Sequence, residues 1–116
     1  MRTTVYIIRH AEAEGNVYRR CHGQYNALLT TRAYKQLPYL AKRFENVPLA
    51  AVYSSDLFRA LQTAHAFADM LGLDVTADAR LRERSFGQWE GMTRDEIRAE
   101  HADAYDSWRV HTGGEL

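Results

Sequence analysis

Apolar positions along this chain follow two rhythms. Thr3 to Ile8, Leu49 to Tyr53 and Leu73 to Ala77 are short apolar or β-branched runs. They are too short for buried helices and suit strands covered on both faces of a parallel sheet. Between and after them, apolar residues recur at three- and four-residue spacing. Leu37, Leu40, Ala41 and Phe44 follow Thr30, a capping residue type. Leu57, Ala60, Leu61, Ala64, Ala68 and Leu71 follow Ser54 and Ser55, candidate caps, with Asp56 in the first turn to complement the helix dipole. Ile97, His101, Ala104, Tyr105 and Trp108 follow Thr93 and Glu96, which have the spacing of a capping box. Gly72 and Gly113-Gly114 are natural helix stops. Pro38 falls inside the first helix and is expected to kink it or delay its start.

The order strand, helix, strand, helix, strand predicts crossover helices on a mainly parallel sheet, a three-layer α/β/α arrangement. Two stretches break the pattern. Glu12 to Gln24 is polar and reads as a long loop, and Arg80 to Met92 reads as irregular. Long ordered loops in small domains are usually functional. Three strands fall short of the typical sheet of about five to six. The sheet is therefore expected to be incomplete toward the C-terminus. A first strand left at its edge would expose backbone groups and an apolar face, inviting self-association.

Composition narrows the class. A chain of 116 residues, 46% hydrophobic and 26% charged, suits one globular domain spanning 1–116. Lys+Arg and Asp+Glu both number 15, so the basic excess of a nucleic-acid binder is absent and no nucleic-acid partner is expected. Cys21 is the single cysteine, so no internal disulfide can form and a cytoplasmic setting is favoured. No signal-like or membrane-spanning run is found, and no membrane partner is expected.

The chemistry-bearing residues sit where strands should end. Arg9 and His10 close the first strand, on the edge where open α/β sheets bind ligands. The pair suggests attack on, or binding of, an anion, although a polar loop cap would look the same. Arg59 lies early in the second helix, off its apolar stripe, and should converge on the same edge. Two guanidiniums around an imidazole suit a phosphoryl group, since Arg forks match its oxygens. Most helix arginines, however, are simply solvated. Glu83 follows the third strand and could protonate a leaving-group oxygen. Its neighbours Arg80, Arg82 and Arg84 fit an ordinary salt-bridged loop equally well. His22, beside Gly23, could touch a substrate, whereas His65 and His101 read as structural, and Trp89 and Trp108 as packing residues. No histidine pair has metal-ligand spacing, and neither a phosphate-binding glycine loop nor a dinucleotide fingerprint is present, so neither metal nor cofactor is expected.

Arg9-His10-Ala11-Glu12, Asn16, Arg20, Leu29-Thr30, the run Ser54 to Ala64 and the run Leu81 to Gly91 together resemble the histidine phosphatase superfamily, the phosphoglycerate mutase-like branch 1. The resemblance extends from Val5 to Gly114. It implies that His10 is a nucleophile that becomes phosphorylated and that Glu83 donates a proton to the leaving group. Arg9, Arg59 and Asn16 would hold the phosphoryl oxygens, and Arg20, His22 and Gly23 would contact a small phosphorylated substrate.

The chain departs from the family pattern at four positions. Ala11 stands for a usual Gly, which requires that the backbone there avoid positive φ. Asn26 replaces a usual Asp, Ala33 a usual Gly, and Leu116 a usual Ser or Thr. The family also uses a second histidine on a later strand, and none of His22, His65, His101 or His111 matches it. The resemblance thus implies the N-terminal portion of a domain, inactive by itself. Because one helix follows the Glu83 segment directly, without a long insertion, a phosphomonoester phosphatase is the first expectation. A phosphoglycerate mutase is the alternative. A non-catalytic phospho-ligand binding module, or an inactive fragment, is the reading from a different class.

Overall fold

The structure, a computed structural model, describes residues 2–112. Its sheet has two parallel strands, β1 (Val52–Ser54) and β2 (Val75–Ala77), with Val52 opposite Val75 and Ser54 opposite Ala77. Four α-helices accompany it among the described residues: α1 (Glu14–Tyr18), α2 (Thr31–Phe44), α3 (Phe58–Ala68) and α4 (Arg94–Thr112). α3 is the crossover between the strands and packs on both of them and on α2. Ala64, Phe67 and Ala68 of α3 meet Val52 and Phe44, and the rings of Phe44 and Phe67 stack with centroids 5.0 Å apart. Burying each phenylalanine stabilises the fold by about 1.5–3 kcal/mol. The mixed α/β class and parallel pairing follow the hydrophobic pattern.

α2 begins where Thr30 caps it, the threonine Oγ1 accepting the Ala33 N–H at 3.1 Å. Pro38 lies within the helix, which starts at Thr31 without delay. α3 starts differently from expectation. Ser54 belongs to β1 and its hydroxyl donates to the Ser55 carbonyl, so neither serine caps the helix. The N–H of Phe58 instead donates to Oδ1 of Asn26 at 2.7 Å, a cap supplied from a distant loop.

The expected first strand is a correction. No strand forms over Thr3–Ile8, and no backbone ladder pairs it among the described residues. A strand is defined by its hydrogen-bonded neighbours, and here the stretch has none. Val5 and Ile7 are 75% and 94% exposed. Tyr6 and Ile8 still reach inward, Tyr6 edge-on to Phe44 at 5.5 Å and Ile8 against the core around Val52.

The long loop is also more ordered than its composition suggests. It contains α1, whose entry is tied by the Ala13 N–H donating to Asn16 Oδ1 at 2.9 Å, and which ends at Arg19 with φ 54°. Cys21 then exchanges backbone hydrogen bonds with the 91–92 segment, its N–H donating to Met92 O and its carbonyl accepting from Gly91, both at 2.8 Å. α4 opens on Thr93, whose hydroxyl oxygen accepts the Glu96 N–H, and it breaks at His101 (φ −136°, ψ 42°). Ile97 and Tyr105 bury against Cys21, with Phe86, Trp89, Met92 and Trp108 around them. The two tryptophans thus pack, as their surroundings predict. The Gly113-Gly114 stop lies outside the described residues. No helix among the described residues is long and apolar enough to cross a membrane.

Candidate active site

One cavity of about 570 Å³ gathers most of the predicted residues: Arg9, His10, Asn16, Arg20, His22 and Glu83 all line it. The segment after Ile8 is fixed by Thr63 of α3, whose hydroxyl oxygen accepts the Ala11 N–H at 2.9 Å and whose proton goes to the Arg59 carbonyl at 2.8 Å. Thr63 was not singled out from the sequence. The signal was its place one helical turn after Arg59, on the same face of α3. Among the described non-glycine residues, Arg19 alone has positive φ, so Ala11 meets no backbone conflict.

His10 Nδ1 lies 2.7 Å from the Ala11 carbonyl. A carbonyl can only accept, so Nδ1 carries the proton and Nε2 keeps its lone pair. Burial lowers the His10 pKa below its usual value, and the charges of Arg59 and Arg9 act in the same direction, against the Ala11 hydrogen bond. The ring is therefore neutral and basic at Nε2 near pH 7. His22 lies beside it, ring centroids 5.8 Å apart and nearly perpendicular.

Arg59 and Gly23 do not line the cavity. Arg59 is 2% exposed, and its guanidinium donates to the carbonyls of Gly23 (2.6 Å) and Tyr25 (2.7 Å) and to Glu83 Oε2 (3.1 Å). It is thus a buried cation held by the loop and by Glu83, not a solvated helix residue. The arginines flanking Glu83 point elsewhere. Arg82 forks onto Asp56 with two 2.6 Å bonds, Arg80 onto Asp78, and Arg84 lies over the Phe86 ring at 4.8 Å. Asn16 uses its oxygen on Ala13, leaving the amide NH₂ as the end available to an acceptor. Arg20 donates to the Gly91 carbonyl at 2.7 Å and lies 3.6 Å from Glu96. Outside the cavity, His65 pairs with Asp69 at 2.9 Å. Cavity-lining arginines that sequence reading passed over are Arg19, next to Arg20, and Arg94 and Arg109, which only the fold brings to the others.

An imidazole with a fixed lone pair thus shares one cavity with several guanidiniums and a carboxyl group, a set suited to an anionic ligand. The chain belongs to the histidine phosphatase superfamily, branch 1, whose family model matches residues 5–115. A protein provisionally named phosphoserine phosphatase 2 from Hydrogenobacter thermophilus is 36% identical over 104 residues, which is 90% of this chain and 51% of that one. A Yersinia pestis protein provisionally named phosphoglycerate mutase is 37% identical over 105 residues, 90% of this chain and 47% of that one. Among solved structures, Bacillus stearothermophilus YhfR superposes with a TM-score of 0.79 at 41% identity, covering 86% of this chain and 50% of that one. The chain thus spans about half the length of the curated relatives it matches.

Proposed function

We propose that the protein is a cytoplasmic phosphomonoester phosphatase working through a phosphohistidine on His10. The observation that carries this reading is the Nδ1 hydrogen bond to Ala11, which leaves Nε2 as the nucleophile inside an arginine-lined cavity. In the first step the Nε2 lone pair forms the N–P bond, the P–O bond to the alcohol breaks, and a protonated Glu83 gives its proton to the departing oxygen. In the second step water attacks phosphorus, its proton passes to the Glu83 carboxylate, the N–P bond breaks, and inorganic phosphate leaves. Arg9 and the Asn16 amide hold the equatorial oxygens, and Arg59 adds positive charge nearby. α4 follows the Glu83 segment with only a short turn between, which favours a phosphatase over a mutase that must enclose its substrate.

A binding module without turnover is the second reading. It is favoured by the Arg59 guanidinium, already committed to two carbonyls and Glu83. Rapid-quench labelling with a radiolabelled aryl phosphate separates the two. An acid-labile phosphoryl group on His10, absent in His10→Ala, is the expected result, whereas affinity without label would establish the binding module. In the same assay Glu83→Gln is expected to slow labelling by alkyl phosphates more than by nitrophenyl phosphate, whose leaving group needs no proton.

A further inference from the structure

We propose that Thr63 of α3 is the positioning residue for His10: acting through the Ala11 backbone, its hydroxyl selects Nε2 as the nitrogen that attacks phosphorus. The inference rests on the phosphatase reading and adds to it what fixes the nucleophile.

The segment that carries His10 has little else to hold it. Residues 3–8 pair with no strand among the described residues. Among those residues, one hydrogen bond ties 3–11 to the rest of the chain, from the Ala11 N–H to Thr63 Oγ1 at 2.9 Å. Tyr6 and Ile8 add apolar contacts upstream. Such contacts carry no direction, so they do not orient a peptide plane. The next fixed point is Glu12, whose carbonyl accepts the Thr30 N–H at 3.0 Å.

Ala11 is therefore held at both ends. Its N–H meets Thr63, and its carbonyl receives His10 Nδ1 at 2.7 Å. Pinning the N–H fixes the plane of the peptide that joins His10 to Ala11. The imidazole and the receiving carbonyl are both set out from that plane. Without the pin, the carbonyl can turn away from Nδ1. A neutral imidazole in water favours its proton on Nε2, and that tautomer has no lone pair there to attack with. The partner of Nδ1 decides between the two.

Thr63 is suited to the task. It is 4% exposed, and its own proton goes to the Arg59 carbonyl one turn earlier, at 2.8 Å. Oγ1 is thereby left as a pure acceptor for Ala11. The same turn of α3 carries Arg59, so one piece of helix sets both that guanidinium and His10.

The test is nitrogen-15 NMR of the histidine-labelled chain near neutral pH, with His10 assigned by the signal missing in His10→Gln. The parent is expected to show a protonated Nδ1 and a bare Nε2. Thr63→Val keeps the shape and loses the hydroxyl. In it the ratio of Nδ1–H to Nε2–H forms should fall about tenfold, the worth of one buried hydrogen bond. Thr63→Ser returns the hydroxyl and should restore the ratio to within about twofold of the parent. Phosphorylation of His10 by nitrophenyl phosphate should slow in the same order. A ratio unmoved by Thr63→Val, or an equal fall in Thr63→Ser, which would mean packing alone, overturns the proposal and leaves the phosphatase reading standing. A ratio that follows the hydroxyl in a chain that never becomes phosphorylated supports the positioning role and overturns the phosphatase reading. If Thr63→Val does not fold, hydrogen exchange of the parent decides. A protected Ala11 amide beside a bare Nε2 supports the proposal, and an Ala11 amide that exchanges as fast as in an unfolded chain overturns it.

Discussion

His22 shows how one side chain couples the site to the fold. It is 8% exposed, its Nε2 has no hydrogen-bond partner among the described residues, and a Cβ on Gly15 would collide with its ring. Glycine is therefore required at position 15 for space. Burial, then the charges of Arg59, His10 and Arg9, push the His22 pKa down to about 4. In the unfolded chain a histidine takes up a proton near pH 6.5. The folded state stays neutral there, so the unfolded state binds more protons between these values. The stabilisation is full above about pH 6.5 and lost as pH falls toward 4, by up to about 3 kcal/mol. Urea unfolding is expected to show a midpoint that drops between pH 7 and 4.5, with a flatter profile in His22→Gln. An unchanged slope in that variant would place the pH dependence elsewhere, for instance at His10, whose pKa is lowered too.

At the scale of elements, the helices follow side-chain periodicity and their starts follow tertiary contacts. The stripes of α2 and α3 could be read because burial recurs with the helical repeat, as Leu37 and Phe44, or Ala64 and Phe67, show. The α3 start could not, because its cap comes from Asn26, 32 residues upstream of Phe58. Asn26→Ala is expected to cost about 1 kcal/mol in chemical denaturation, the usual loss for a missing N-terminal cap. Asn26→Asp keeps an acceptor and adds a charge suited to the helix dipole, so its stability should match or slightly exceed that of the parent. Likewise α1 sits in a stretch without an apolar stripe. Its entry hydrogen bond from Ala13 to Asn16 and its left-handed exit at Arg19 leave no hydrophobic signature.

For the molecule as a whole, the exposed Val5 and Ile7 flank a segment with no ladder partner among the described residues. Such apolar, unpaired backbone pairs readily with another copy. Sedimentation of residues 1–116 is expected to show concentration-dependent association, weakened by Val5→Lys/Ile7→Lys. A monomer over the whole micromolar range would refute it. Short apolar runs and the 3.6-residue period determined the α/β class and the parallel pairing, and residue type with position named His10, Glu83, Arg9 and Arg59 as candidates. These are local properties, carried by spacing and residue type. Only the tertiary structure decided that residues 3–8 form no strand, that Arg59 turns onto the Gly23 and Tyr25 carbonyls, and that Arg94 and Arg109 join the cavity. Each of these depends on a partner far along the chain, and no local pattern encodes which distant group a backbone or guanidinium will meet.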